Sequence, residues 1–156
     1  MAIENAARVS SLFTITFERR YRHPIEAVWR AISDEDRVAR WMEYPARLEP
    51  VLGGEVLIDF SPEEPLRGVV CAAETERLLA YTWGDSIVKW ALSPLDEAVV
   101  LEFSHIAVKP EFLTGLSAGW HCFLDNLEAH LAGRPFTDRF EDLHRQYQRQ
   151  IGQKAP

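Results

Sequence analysis

The chain has 156 residues, 47% of them hydrophobic, which fits one domain large enough to bury a core or enclose a cavity. Seventeen basic against twenty-four acidic residues give a net charge of -7, which repels a phosphate backbone and argues against nucleic acid as a partner. No apolar run approaches the roughly 18–20 residues that cross a bilayer, and the start MAIENAARVS lacks a basic stretch followed by an apolar one, so the expectation is a cytoplasmic protein without a membrane partner.

The elements follow in chain order. In FTITFERRY (13–21), Phe13, Ile15, Phe17 and Tyr21 alternate with Thr14, Thr16, Glu18 and Arg20, the period of a strand with one wet face. Next, HPIEAVWRAISDEDRVARWM sets Pro24 at a helix start and spaces Ile25, Val28, Trp29 and Ile32 at i, i+3, i+4 and i+7. A second short helix, capped near Ser33 or Asp34, carries Val38, Trp41 and Met42 before Pro45.

From residue 46 to about 109 the chain reads as short runs parted by turn signals: ARLEPVL, EVLIDF, LRGVVCAAE, RLLAYTW, SIVKWAL and AVVLEFSHIAV, a pattern that suits an antiparallel meander. Pro110 then opens a long helix to about Gly133, with Leu113, Leu116, Trp120, Phe123, Leu124, Leu127 and Leu131 on one face. Gly115 and Gly119 inside it point either to close approach of a neighbour or to simple tolerance. The order strand, two helices, strands, long helix makes the class α+β. Past GRP (133–135), Phe136, Phe140, Leu143, Tyr147 and Ile151 trace a further amphipathic helix, and Asp138 with Glu141 imitates a capping box. The division is a domain over 1–133 and a helical extension over 134–156.

The stretch GWHCFLDNLEAHL (119–131) crowds His121, Cys122, Asp125, Glu128 and His130 together. On a helical wheel at about 100° per residue, His121 and Asp125 fall on one flank of the apolar stripe and His130 on the other, so one helix cannot aim His121, Cys122 and His130 at one ion. His23, His105, His121, His130 and His144 are scattered without His-Glu-x-x-His spacing, so no metal and no cofactor is expected. Cys71 and Cys122, amid apolar neighbours, read as buried free thiols of a reducing compartment.

Four stretches, HPIEAVWRAISDEDRVARWM, GGEV, RLLAYTW and GWHCFLDNLEAHL, carry a resemblance spanning about residues 12 to 133. The chain resembles the SRPBCC or START-like superfamily, in its branch of homologues of the activator of the heat-shock-protein ATPase (AHSA-like); where that branch often has a second tryptophan, this chain has Met42. The resemblance implies a helix-grip fold of the birch-pollen-allergen type: a curved antiparallel sheet around a long C-terminal helix, two short helices after the first strand, and a cavity between sheet and helix for a small hydrophobic or amphipathic molecule. It implies no catalytic residues.

Strand alternation gives the side chains that would face such a cavity: Phe17 and Arg19 on the first strand, Tyr81 and Trp83, then Trp90, then Phe103 and His105, with Trp120, Phe123, Leu124 and Leu127 opposite on the helix. Arg19 would anchor an anionic group or else reach solvent at the sheet edge, and His105 would meet a ligand or be a hydrogen-bonded core histidine. The expected function is non-enzymatic binding by a monomer or homodimer. Its alternatives are a cyclase or hydrolase acting on a polyketide-like substrate through Tyr81, His105 or Arg19, and a stress-response or chaperone-interacting protein.

Overall fold

The structure, a computed structural model, describes residues 11–154; the start MAIENAARVS and the last two residues of the extension lie outside them. The elements are β1 (Phe13–Tyr21), α1 (Ile25–Ser33), α2 (Glu35–Met42), β2 (Ala46–Leu48), β3 (Glu55–Ile58), β4 (Leu66–Glu74), β5 (Leu78–Trp83), β6 (Ser86–Leu95), β7 (Ala98–Val108), a 3₁₀ turn (Pro110–Phe112), α3 (Leu113–Ala132) and α4 (Phe140–Lys154). The strands form one curved antiparallel sheet in the order β1-β7-β6-β5-β4-β3-β2, and α3 packs on one of its faces. This is the α+β helix-grip architecture that the element order and the resemblance imply.

The ladder places the alternating residues on one face. Phe17 stands opposite Phe103 and Arg19 opposite Leu101 between β1 and β7; Trp90 faces Phe103 and Val88 faces His105 between β6 and β7; Tyr81 faces Val88 between β5 and β6. Phe13 departs from this pattern. The step from Phe13 to Ile15 on β1 is matched by the longer step from Val108 to His105 on β7, and Ala107 in that gap has φ 68°. The bulge re-aims the end of the ladder, and Phe13, inward by period, is 44% exposed.

Helix α1 packs on β6, β7 and α3, and α2 on β2 and α3. The C=O of Pro24 accepts from the N–H groups of Ala27 and Val28, and the Asp34 carboxylate caps α2 by accepting from the N–H of Arg37 at 3.3 Å. Val38, Trp41 and Met42 are buried, as the helical period predicts. The Trp41 indole donates to the C=O of Ala31 at 2.8 Å, and Asn126 on α3 donates to the C=O of Trp41 at 3.0 Å, which fastens α2 to α3. A β-carbon at Gly115 or Gly119 would meet no atom within 4 Å, so close approach is not what these glycines serve.

The chain leaves α2 through Glu43, which holds φ 63° at the C-cap where glycine is favoured. Glu43 is exposed, so its replacement by glycine relieves the left-handed backbone without removing packing. Glu43→Gly is expected to raise stability by about 0.5–1 kcal/mol, the relief being partly offset by the freedom glycine adds to the unfolded chain. A rise in the urea midpoint at unchanged slope checks it.

After α3 ends at Gly133 (φ 67°), residues 134–139 run back along it to α4. The carboxylate of Asp138 accepts from the N–H of Phe140 at 3.2 Å rather than from that of Glu141. The helix begins one residue later than the capping-box spacing requires, with the C=O of Arg139 accepting from Leu143. Leu143 is buried, and the Tyr147 hydroxyl meets Nδ1 of His121 at 2.9 Å, so α4 lies on α3 of its own chain.

Candidate functional site

The centre of the sheet–helix interface is an aromatic cluster. Trp120 on α3 lies 4.2 Å from Phe103, 5.9 Å from Trp90 and 5.0 Å from Trp83, centroid to centroid, and Trp90 lies 4.6 Å from Phe103. Trp90, Phe103, Trp120, Leu124 and Leu127 are no more than 1% exposed. They fill the space where sheet meets helix by edge-to-face and tilted packing. Trp83 and Phe123, half-buried, are the members that reach outward.

The polar groups in this cluster are engaged with one another. The Tyr81 hydroxyl accepts from the Trp90 indole at 3.1 Å, and burial pushes its proton affinity well above the ordinary phenol range. His105, fully buried, lies with Nδ1 2.9 Å from the Trp120 indole nitrogen and Nε2 2.6 Å from the Ser86 hydroxyl. An indole N–H can only donate, so Nδ1 is the acceptor and the neutral ring carries its proton on Nε2. Nε2–H therefore donates to Ser86, whose hydroxyl donates in turn to the C=O of Trp83 at 2.7 Å. Burial lowers the His105 pKa to about 4.

The Ser–His spacing has the look of a nucleophile beside its base, but the proton runs the other way. No lone pair of His105 remains to take the serine proton.

Arg19 faces inward by register and ends at the flank of α3, where its Nη1 pairs with Asp125 at 2.9 Å, both groups being partly buried. Asp125 also has Nε2 of His121 at 3.7 Å and Arg139 at 3.8 Å, and His121 carries Tyr147 on its other nitrogen. The wheel places His121 and Asp125 together on that flank; β1 and the 134–139 segment add two arginines. Burial lowers the His121 pKa, countered by Asp125 and reinforced by Arg19 and Arg139. Among the described residues no three His, Cys, Asp or Glu side chains cluster as metal ligands would.

Open space lies beside the aromatic cluster. A cleft of about 690 Å³ separates the end of α2 from α3 and the 136–140 segment, with Met42, Tyr44, Phe123 and Phe136 in its walls. A groove of about 290 Å³ lies at the other end, between the β5–β6 turn and the start of α3, lined by Trp83, Ser86, Val108, Phe112 and Leu116. Of the residues predicted from strand alternation and from the apolar face of the long helix, Phe123 lines the cleft and Trp83 the groove. Phe17, Arg19, Tyr81, Trp90, Phe103, His105, Trp120, Leu124 and Leu127 line neither.

Between the openings stands Phe60, 4.8 Å from Tyr44, 6.4 Å from Phe123 and 5.7 Å from Trp83. Sequence reading does not single out Tyr44, Phe60, Phe136 or Ser86 as site residues. Phe60 closes the run EVLIDF and is visible as its last apolar residue; Tyr44 carries no period, and Phe136, which fits the helical spacing of the C-terminal stretch, lies ahead of α4, which starts only at Phe140.

Among curated proteins, none is similar to this chain in sequence. Solved structures share its fold. A protein from Bordetella parapertussis is 27% identical, with a TM-score of 0.72 over 96% of this chain and 90% of that one. A conserved protein of unknown function from Enterococcus faecalis is 18% identical, with a TM-score of 0.77 over 92% of this chain and 86% of that one. The Aha1 dimer from Colwellia psychrerythraea is 15% identical, with a TM-score of 0.69 over 77% of this chain and 96% of that one. No helix among the described residues is long and apolar enough to cross a membrane. The family model described as activator of Hsp90 ATPase homolog 1-like protein matches residues 22–132, the span from the start of α1 to the end of α3, and the chain belongs to that family.

Proposed function

We propose that this protein binds a small hydrophobic or amphipathic molecule without transforming it. The observation that carries the reading is the row of rings Tyr44, Phe60, Phe123 and Trp83, incompletely buried and joining two openings over a packed aromatic base. Such rings present apolar surface that a ligand removes from water, while the sealed polar pairs beneath them offer no free general base. Trp90, Phe103, Trp120, Leu124 and Leu127 then serve as the wall behind the ligand, and Tyr81 and His105 hold that wall in shape.

Ligand binding is expected to quench tryptophan fluorescence, chiefly from Trp83, and to raise the melting temperature, with a panel of fatty acids, flavonoids and polycyclic aromatics as probes. Removing a ring that covers about 50 Å² of ligand costs roughly 1 kcal/mol, so Phe123→Ala or Trp83→Ala weakens binding about five- to tenfold, and the surface change Glu64→Ala leaves it unaltered. A panel that neither quenches nor stabilises removes the support for this reading. It moves a second one ahead, a chaperone-interacting protein, favoured by exposed Val51, Leu52 and Val69 near the sheet edge.

A further inference from the structure

We infer that the 690 Å³ cleft selects an amphipathic organic cation, an amine carried on an aromatic or other apolar body; this rests on the ligand-binding reading above. Four aromatic rings line the cleft: Tyr44 after α2, Phe123 on α3, Phe136 from the segment that runs back along α3, and Phe140 at the start of α4. Two acidic residues line it, Glu43 after α2 and Asp138 ahead of α4, the latter's carboxylate also accepting from the Phe140 N–H at 3.2 Å, and among the described residues no lysine, arginine or histidine lines it. Arg139, next to Asp138 in sequence, is not among the lining residues, and its Nη1 lies 3.8 Å from Asp125.

Aromatic faces and carboxylates favour the same charge. A ring face attracts a cation through its quadrupole, and a carboxylate adds a charge-assisted hydrogen bond to an ammonium group. An organic anion in the same cleft would meet two like charges and no donor of opposite sign. The protein's net charge of -7 draws cations toward it and repels anions. The neighbouring groove differs: it is lined by Lys109 as well as Asp85, and its walls are mostly apolar, so it has no such bias.

Part of this cleft lies outside the span shared with the family. Phe136, Thr137, Asp138 and Phe140 follow the match that ends at residue 132. The C-terminal segment thus adds both a carboxylate and two rings to a body whose own contribution is Glu43, Tyr44 and Phe123.

The test uses three probes of one shape on the full chain: 1-naphthylmethylamine, 1-naphthylmethanol and 1-naphthoic acid, titrated by calorimetry at neutral pH. The amine is expected to bind at least tenfold tighter than the alcohol, the acid to bind weakest, and the amine's advantage to shrink as salt is raised. The advantage should vanish in the Glu43→Gln, Asp138→Asn double variant, in which the introduced amide oxygen at position 138 still accepts from the Phe140 N–H. Glu43→Gly should lose several-fold in amine affinity while gaining stability, which separates loss of a ligand contact from loss of folding. Equal binding of amine and alcohol overturns the inference and leaves the ligand-binding reading standing; binding of none of the three overturns the inference and counts against both.

Discussion

Replacing Trp120 by alanine is expected to cost about 3–5 kcal/mol of stability, toward the upper end of that range. Trp120 touches Trp83, Trp90, Phe103, Phe123 and His105, with centroids between 4.2 and 6.0 Å, and is 1% exposed. Truncation leaves a void bounded by rings from three strands, which cannot all move into it. It also strips the donor from Nδ1 of His105, whose other nitrogen stays tied to Ser86. Trp120→Phe separates the two effects, because it keeps most of the ring volume and loses the N–H; its cost should be about 1–3 kcal/mol. Urea unfolding measures both variants. A cost below about 2 kcal/mol for the alanine variant would mean that the space around Trp120 is a hollow rather than a packed base.

Much of this core is legible in the sequence because the sheet is buried on one face. Period-2 alternation in FTITFERRY, RLLAYTW, SIVKWAL and AVVLEFSHIAV assigns Ile15, Tyr81, Trp90, Phe103 and His105 to one side, and the ladder brings them together in that register. The i, i+3, i+4 spacing in α3 likewise finds Trp120, Leu124 and Leu127. Alternation states a side, and it is silent about partners. It puts Arg19 on the inward face, but that Asp125 would meet it depends on how α3 crosses β1, a relation between residues 106 apart in the chain.

The openings are the least legible part. They are set by where elements stop: Tyr44 past the left-handed residue that ends α2, Phe60 two residues past the end of β3, and Phe136 in the run between α3 and α4. Tyr44 belongs to no periodic pattern, Phe60 continues the alternation of Val56 and Ile58 past the strand, and Phe136 fits the period of a helix that starts only at Phe140, so the period does not give the surroundings of any of the three. The bulge at Ala107 has no sequence signal either, since alanine is not a residue that asks for positive φ. The family span fixes the aromatic base, and the irregular segments around it shape the space that a ligand would meet.

Stability is expected to fall by about 3 kcal/mol as the pH drops from 6.5 to 4 on account of His105 alone. In the unfolded chain its imidazole takes up a proton near the ordinary value of 6.5, whereas in the folded protein burial lowers its pKa to about 4. Between those values the unfolded state binds more protons than the native one, so the folded state loses ground with each step down in pH. Well above 6.5 both states are neutral and the full stability is present. The geometry states the reason in atoms: Nδ1 is occupied by the Trp120 indole, so protonating it breaks that bond and buries a charge at a ring whose two partners among the described residues, Trp120 and Ser86, are neutral. Carboxylates titrate near the lower end of this window and His121 and His130 share the direction of the shift, so wild type must be compared with His105→Asn, which offers Trp120 an acceptor that does not titrate. The difference in unfolding free energy between the two proteins should narrow steadily as the pH falls from 6.5 to 4. Parallel curves over that range would show that His105 is protonated as easily in the folded protein as in the unfolded one, and that the Trp120–His105–Ser86 chain does not hold the ring neutral.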